Sequence, residues 1–169
     1  MKDTITFRKA EVADTERIWQ IILQAKEQMR LRNSRQWQDG YPAMETIVDD
    51  IKKDYGYVLC LKNDVIAYGS VIFTGEPAYD ALQGNWLSNL PYVVVHRLAV
   101  ADEVKNRGIA TLYMQKVEDL SQQKGIHSFR VDTNFDNLYI QKMLHSLNFT
   151  YCGEIFYDKN QRRAYEKLI

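Results

Sequence analysis

The sequence predicts an α/β fold, an α+β arrangement in which one mixed sheet is flanked by helices in the order β-α-α-β-β-β-α-β-α-β-β. Short segments in which apolar residues alternate or run together are typical of strands. Longer segments with apolar residues at helical spacing lie between them. Residues 93–125 combine a valine-rich strand, a glycine-containing loop and a long amphipathic helix, the unit that connects parallel strands.

The first half of the chain predicts a strand, two helices and a hairpin. Residues 4–8 alternate as Thr-Ile-Thr-Phe-Arg, which favours a strand. Apolar residues at helical spacing predict one helix over 14–33 and a shorter one over 43–55. Residues 57–61 and 65–73 are apolar runs joined by a short polar turn, so an antiparallel hairpin is expected.

The middle of the chain predicts a long loop and a parallel strand pair. Residues 75–90 contain proline, glycine and aromatic residues and predict a loop. Residues 91–100 form an apolar run typical of a strand buried on both faces. The following helix is expected to end at Gly125. A helical crossover makes the next strand, 126–133, parallel to the previous one.

The last part of the chain predicts one more helix and a final strand pair. Asp136 is expected to cap the helix. Residues 149–157 and 163–168 predict strands, joined by a turn at 158–161. No internal repeat or linker interrupts the pattern, so residues 1–169 are expected to form a single domain.

Composition narrows the class of protein. The chain has 22 basic and 22 acidic residues and a formal net charge of zero, which argues against a nucleic-acid partner. The first nine residues lack the apolar run of a signal peptide, and no stretch approaches the roughly 18 apolar residues of a membrane span. Cys60 and Cys152 form no disulfide or metal-ligand pattern. A cytoplasmic protein without membrane association or bound metal is expected.

The loop after the valine-rich strand is the first candidate site. It reads Lys-Asn-Arg-Gly-Ile-Ala over residues 105–110. The N–H groups at a helix start lack intrahelical acceptors, and the helix dipole adds positive charge there. Gly108 lets a ligand approach the backbone, and Lys105 and Arg107 are cationic. These features suit a phosphate, although the spacing matches neither the P-loop nor the GxGxxG dinucleotide loop.

Several motifs together resemble the GCN5-related N-acetyltransferase (GNAT) family. The loop 105–110 is similar to that family's cofactor motif, and 96–100 is similar to its fourth strand. Residues 131–133, Asn137 and the Leu-Asn-Phe of 147–149 are similar to its second motif, and 164–167 fits its last strand. Two departures are Lys105 in place of glutamine or arginine, and Asn148 in place of glycine. Asparagine tolerates a left-handed backbone, so the tight helix end stays feasible.

The resemblance implies acetyl-CoA as the cofactor and a set of residues that bind it. Loop N–H groups would hold the pyrophosphate, and the central strand would pair with the pantetheine arm. The residues implied are Leu98, Ala99, Val100, Lys105, Asn106, Arg107, Gly108, Ile109, Ala110, Thr111 and Asn137. For Asn137, a role as helix N-cap is the alternative.

The resemblance also implies acetyl transfer to a primary amine of a small molecule or peptide. The family's usual glutamate base and tyrosine acid fall at Val94 and Leu144 here. His96 should project to the same strand face as Val94, and histidine titrates near neutral pH, so His96 is the candidate base. Tyr139 is the candidate acid. The alternatives are a hydrogen-bonded core histidine and a packing tyrosine.

The acceptor is expected to bind between the loop after the first helix and the long loop 75–90. The residues expected to line this site are Trp37, Tyr41, Tyr79, Asp80 and Trp86. Asp80 or Glu76 would hold an ammonium group beside the aromatic wall. The alternative for this loop is a surface excursion that Trp86 pins in place.

Two further questions stay open from the sequence. Because the usual acid and base are missing, the alternative function is a non-catalytic sensor module that binds CoA or acyl-CoA in the same fold. The final hairpin is a segment through which two copies of the chain can pair, so a homodimer is also allowed.

Overall fold

The computed structural model describes residues 4–157 and 160–169. The helices are α1 (Thr15–Leu31), α2 (Met44–Lys52), α3 (Ile109–Gln123) and α4 (Leu138–Ser146). The strands are β1 (Ile5–Lys9), β2 (Gly56–Leu61), β3 (Asp64–Ile72), β4 (Gln83–Gly84), β5 (Val93–Val100), β6 (Ser128–Asn134), β7 (Thr150–Tyr157) and β8 (Asn160–Leu168).

The strands form one mixed sheet in the order β1-β2-β3-β5-β6-β8-β7-β4. The predicted β2–β3 hairpin is confirmed, and so is the parallel pairing of β5 with β6 across α3. Strand β8 lies between β6 and β7, antiparallel to both. The sheet has one strand more than predicted, because two residues of the long loop form β4 and pair with β7.

Strands β5 and β6 separate after a short contact. Their pairing covers only Val93 with Phe129 and Val94 with Arg130. On its other side β5 continues to pair with β3 up to Val100. The β6-facing edge of β5 therefore opens into a crevice beside the start of α3, which is where open α/β sheets bind ligands.

The two faces of the sheet are covered by different helices. On one face, the Tyr113 ring of α3 is fully buried against Gly69, and its hydroxyl donates to the Tyr57 carbonyl at 2.9 Å. On the other face, Asp50 of α2 accepts a hydrogen bond from Tyr68 of β3. The alternation of Tyr68 and Gly69 between faces follows from the two-residue period of a strand.

The long loop 75–90 is fixed by buried charges rather than left open. Its backbone and Ser88 hydroxyl donate to the fully buried carboxylate of Glu166. The Arg130 guanidinium lies 4.2 Å from the ring centres of both Trp86 and Tyr92. Stacking of this kind excludes water and holds the loop on the sheet. The interpretation of this loop as an excursion pinned by Trp86 fits the structure.

Two details of the prediction need correction or fall outside the structure. The N-cap of α4 is Asn137, and the prediction of Asp136 is wrong, because the Asp136 carboxylate accepts from the Ser34 hydroxyl and the Arg35 N–H instead. The predicted turn at 158–161 includes residues 158 and 159, which lie outside the described residues. In the part of the chain that is described, no helix is long and apolar enough to cross a membrane.

Replacing Gly69 by alanine tests the packing of α3. A Cβ at this position would lie 2.7 Å from the Tyr113 hydroxyl and 2.9 Å from its ring. Overpacking of a buried ring is expected to lower the free energy of unfolding by about 1–3 kcal/mol in urea denaturation. Gly56→Ala is the control, since its Cβ would meet neighbours only at 3.2–3.3 Å. Equal losses for the two variants would contradict this packing.

Candidate active site

The loop before α3 has the geometry of an anion site. Gly108 adopts φ +75° and Asn106 φ +63°, and these left-handed residues turn the chain into the helix. Leu112 makes the first backbone bond into this turn, to the Gly108 carbonyl at 3.0 Å. Among the described residues, no acceptor takes a hydrogen bond from the N–H groups of 107–111. A Cβ at Gly108 would meet nothing within 4 Å, so the space above the loop is open.

A pocket connects this loop with the opened edge of β5. Its walls come from α1, β5, the loop, α3 and the start of α4. The lining residues are Ala25, Gln28, Met29, Arg32, Leu98, Ala99, Val100, Lys105, Asn106, Ile109, Ala110, Asn137, Tyr139 and Ile140. The structure thus brings together most of the residues predicted to bind the cofactor, while Arg107, Gly108 and Thr111 lie outside this lining.

The electrostatics of this pocket favour an anion. The described residues that line it include two cations, Arg32 and Lys105, and no carboxylate. The dipole of α3 points its positive end toward the same loop. A diphosphate group therefore fits the charge and the free N–H groups of this pocket.

Asn137 combines both roles considered for it. Its Oδ1 accepts from the Ile140 N–H at 3.2 Å, which makes it the cap of α4. Its Nδ2 donates to Gln36 Oε1 at 3.0 Å, and the side chain also lines the pocket. The cap fixes the start of α4 against the crevice.

Arg97 stands at an irregularity of β5. Two residues, Arg97 and Leu98, stand opposite Gly69 in β3, and Arg97 adopts φ +58°. One extra residue on one strand is a β-bulge, which bends the strand and takes backbone groups out of the ladder. The bulge lies on β5 where the pocket passes, so it shapes the strand edge at the centre of the crevice.

A buried ion pair holds this bulge. Arg97 Nε donates to Asp50 Oδ2 at 2.8 Å, and a second guanidinium nitrogen bonds Oδ1 of the same carboxylate. Tyr68 and Ser70 also donate to Asp50, which is 2% exposed. The third nitrogen of Arg97 donates to the Tyr41 hydroxyl at 2.7 Å. The Arg97 guanidinium therefore links strand β5 to α2 and to the loop after α1.

A larger cavity adjoins the pocket and encloses about 450 Å³. Met29, Leu98 and Ile140 line both, so the two spaces adjoin at these side chains and together are called the cleft. Predicted residues Trp37, Tyr41 and His96 are among its walls. The ionisable residues that line it are Tyr41, Glu76, His96, Arg97, Asp132, Tyr157 and Arg162.

His96 lies in this cavity beside a carboxylate. Its Nε2 is 3.2 Å from Glu76 Oε2, and both side chains are about one-fifth exposed. The hydrogen bond with His96 lowers the pKa of Glu76, so this carboxylate stays ionised well into the acid range. His96 pairs with Ser70 and Val94 with Ile72 across β3, which puts both on one face as predicted.

Tyr79 does not line the cavity, because its ring is buried in a second network. It is 1% exposed and donates its hydroxyl to Asp132 at 2.7 Å. Burial raises the pKa of Tyr79 well above its usual value. Arg162 forms an ion pair with Asp132 at 3.0 Å. Tyr79 therefore packs behind the cavity wall and holds Asp132, which does line the cavity.

Asp80 and Trp86 are also placed away from the cavity lining. Asp80 is exposed on the short 3₁₀ helix Pro77–Ala81. Trp86 donates its indole N–H to the Tyr79 carbonyl at 3.0 Å and packs on Arg130. Of the five residues predicted for the acceptor, the structure therefore brings together Trp37 and Tyr41.

Tyr139 stands at the pocket and not at the larger cavity. Its ring is 41% exposed and lies beneath the Arg32 guanidinium at 3.8 Å.

The usual base and acid positions of the family are filled by the apolar side chains of Val94 and Leu144. These two residues are 0% and 1% exposed.

Known structures share this fold. A GNAT-family acetyltransferase from Streptococcus agalactiae 2603 is 32% identical, with a TM-score of 0.88 over 98% of this chain and 95% of that one. The protein yncA from Salmonella typhimurium, solved with its cofactor acetyl-CoA, is 15% identical, with a TM-score of 0.66 over 97% and 93%. The ribosomal-protein-S18-alanine N-acetyltransferase from Escherichia coli is 12% identical, with a TM-score of 0.70 over 98% and 94%. These last two likenesses concern the fold alone.

The opened sheet edge beside a helix start with free N–H groups is typical of proteins that bind an anionic cofactor in such a crevice. The model of the acetyltransferase (GNAT) family matches residues 16–149, and the chain belongs to this family. It is an acetyl-CoA-dependent N-acetyltransferase, and acetyl-CoA is its cosubstrate. No curated protein sequence matches the chain significantly.

Sequence reasoning missed several residues of the cleft. Asp50 lies on the amphipathic helix α2, yet it is buried under Arg97. Gln28 donates to the Val100 carbonyl at 3.0 Å, on the strand expected to pair with the cofactor arm. An acidic residue inside an amphipathic helix is usually solvated, so no local signal distinguished Asp50.

Replacing Asp50 by alanine tests the ion pair that holds the bulge. Removing the carboxylate leaves the largely buried Arg97 charge without a counter-ion and the Tyr68 hydroxyl without its acceptor. The free energy of unfolding is expected to fall by about 3–5 kcal/mol in urea denaturation. Asp49→Ala is the matched control, because Asp49 pairs with Lys53 on the exposed side of α2, and this variant should be nearly as stable as the parent. A stable Asp50→Ala protein would contradict the assigned role.

Proposed function

We propose that this enzyme transfers the acetyl group of acetyl-CoA to a primary amine of a small molecule or peptide. The observation that carries the proposal is the cleft of two adjoining spaces, which is cationic at the α3 loop and carries Glu76 and His96 in the larger cavity. An anionic cofactor and a cationic acceptor would enter from opposite ends and meet at the β5 bulge.

The cofactor is assigned to the pocket at the start of α3. The N–H groups of 107–111 and the Lys105 side chain would hold its phosphates, and the β5 edge at Leu98–Val100 would face its arm. When bound, acetyl-CoA supplies an acetyl group activated as a thioester. The open space above Gly108 and the absence of carboxylates from the described lining support this assignment.

The acceptor is assigned to the larger cavity. Its two arginines are neutralised, Arg97 by Asp50 and Arg162 by Asp132. The Glu76 carboxylate contacts His96 Nε2 at 3.2 Å and accepts from the Ala78 N–H at 3.3 Å. Among the described residues it forms no ion pair with an arginine or lysine, so it carries the remaining negative charge of the cavity wall. An ammonium group would therefore be attracted to Glu76, and Trp37 and Tyr41 would pack against the rest of the acceptor.

His96 is assigned as the general base. The amine must lose a proton before it attacks the thioester, and a positioned imidazole accepts such protons efficiently near neutral pH. Glu76 accepts from Nε2–H and so leaves Nδ1 as the nitrogen that can take the proton, directly or through water. The carboxylate also stabilises the imidazolium that results, as the orienting acid does in a catalytic triad.

Release of the free CoA thiol tests the function directly. Mixing the enzyme with acetyl-CoA and a panel of polyamines, aminoglycosides, amino acids and peptides is expected to give turnover with at least one cationic amine. The negative charge of Glu76 predicts that analogues in which the reacting ammonium group is replaced by a neutral hydroxyl compete poorly with that amine. Binding of CoA without turnover of any amine would contradict the proposed transfer.

Replacing His96 by alanine tests the base. Loss of general base catalysis is expected to lower kcat/KM for the amine by about 10²-fold or more. The acid limb of the kcat/KM profile, where the parent enzyme protonates its base, should also disappear. His145→Ala removes an exposed histidine of α4 and serves as the control. An unchanged acid limb in the His96→Ala enzyme would reject His96 as the base.

Replacing Trp37 and Asp80 separates the observed cavity from the larger site expected from the sequence. Trp37→Ala removes a wall of the cavity, so the acceptor KM is expected to rise about tenfold. Asp80→Ala changes an exposed residue outside the lining, and its acceptor KM should match that of the parent. The opposite pattern would place the acceptor at the long loop instead.

A further inference from the structure

Arg32 reaches the cofactor pocket from an element outside the family motifs. It caps the C-terminal end of α1, and its guanidinium lies 3.8 Å from the centre of the Tyr139 ring on α4. Both residues line the pocket together with Lys105 and Asn106. The stacked pair therefore links two helices at the mouth of the crevice.

The Arg32 guanidinium has no counter-charge among the described residues. No carboxylate among the described residues forms an ion pair with it. Its neighbour Arg30, in contrast, pairs with Glu27 on the exposed side of α1. An arginine that faces a pocket without a counter-charge has its donors available for an anion, and a guanidinium matches a phosphate in a bidentate geometry.

Tyr139 contributes its ring face to this arrangement. A guanidinium over an aromatic face keeps its N–H groups in the plane of the fork, free to donate to a ligand. The stack fixes a long side chain that would otherwise sample many rotamers, so less entropy is lost on binding. This role needs the ring of Tyr139 and not its hydroxyl.

We propose that Arg32 binds a phosphate group of the cofactor and that Tyr139 is a positioning residue that holds its guanidinium. The inference rests on the proposed placement of acetyl-CoA in this pocket. It replaces the prediction of Tyr139 as the catalytic acid. The cofactor has a diphosphate and a 3′-phosphate, and either group supplies the same anionic oxygens.

Calorimetric titration with CoA tests the proposal. Arg32→Ala is expected to raise the Kd of CoA about five- to tenfold, because one charge-assisted contact is lost at a partly exposed site. Arg30→Ala is the matched control, because Arg30 pairs with Glu27 and does not line the pocket. This variant should bind CoA like the parent. Dephospho-CoA distinguishes the sources: a loss that persists assigns the diphosphate, and a loss that vanishes assigns the 3′-phosphate.

Two variants of Tyr139 separate positioning from acid catalysis. Tyr139→Phe is expected to bind CoA more tightly than Tyr139→Ala, because only the former keeps the stack. Both should act on KM for acetyl-CoA rather than on kcat. A Tyr139→Phe enzyme with a large loss of kcat and an unchanged KM would restore the catalytic acid and overturn the positioning role.

Lys105→Ala keeps the proposal distinct from the placement on which it rests. If Lys105→Ala weakens CoA binding and Arg32→Ala does not, the role of Arg32 is wrong and the cofactor placement stands. If neither variant changes the Kd of CoA, the placement in this pocket is wrong as well. Circular dichroism of each variant confirms that a raised Kd is not caused by unfolding.

Discussion

The buried pair of Arg97 and Asp50 is the interaction on which the cleft depends. A non-glycine residue with positive φ inside a strand is costly, and it persists only when its surroundings hold it. Here the Asp50 carboxylate accepts hydrogen bonds from two nitrogens of the Arg97 guanidinium and from the hydroxyls of Tyr68 and Ser70. The bulge that results turns the edge of β5 toward the crevice. Its position therefore depends on a helix that contributes no residue to the cofactor pocket.

The two ends of the cleft carry opposite charges, although the chain as a whole is neutral. The formal net charge is zero, so attraction of a polyanionic cofactor cannot come from the protein as a whole. It comes from the pocket, where Arg32 and Lys105 line a wall free of carboxylates among the described residues. At the other end the arginines are paired and Glu76 remains ionised. Opposite local potentials can thus orient two ligands of opposite charge in two adjoining spaces.

Much of the fold and the cofactor pocket could be predicted from the sequence, because both depend on local patterns. Helical spacing and valine-rich runs predicted the elements, and the loop 105–110 carries its glycine and its cations in consecutive positions. The acceptor side depends on pairs that are distant in sequence: Arg97 and Asp50 are 47 residues apart, and His96 and Glu76 are 20 apart. An aromatic residue in a long loop, such as Tyr79, suits a ligand wall and a buried anchor equally well. Only its hydroxyl bond to Asp132 decided between them.

The place of β8 between β6 and β7 has a consequence for folding. In the described part of the sheet, strand β7 pairs only with β8 and the short β4, so β8 is its main connection to the rest of the sheet. The wall formed by Asp132 and Arg162 joins β6 to β8, so half of that wall is absent until the chain beyond residue 160 has been synthesised. Such non-local pairing closes late, because the loop entropy must be overcome first. On the ribosome β1, β2, β3, β5 and β6 can pair before β7 and β8 emerge, and the acceptor cavity stays open to solvent until β8 joins β6.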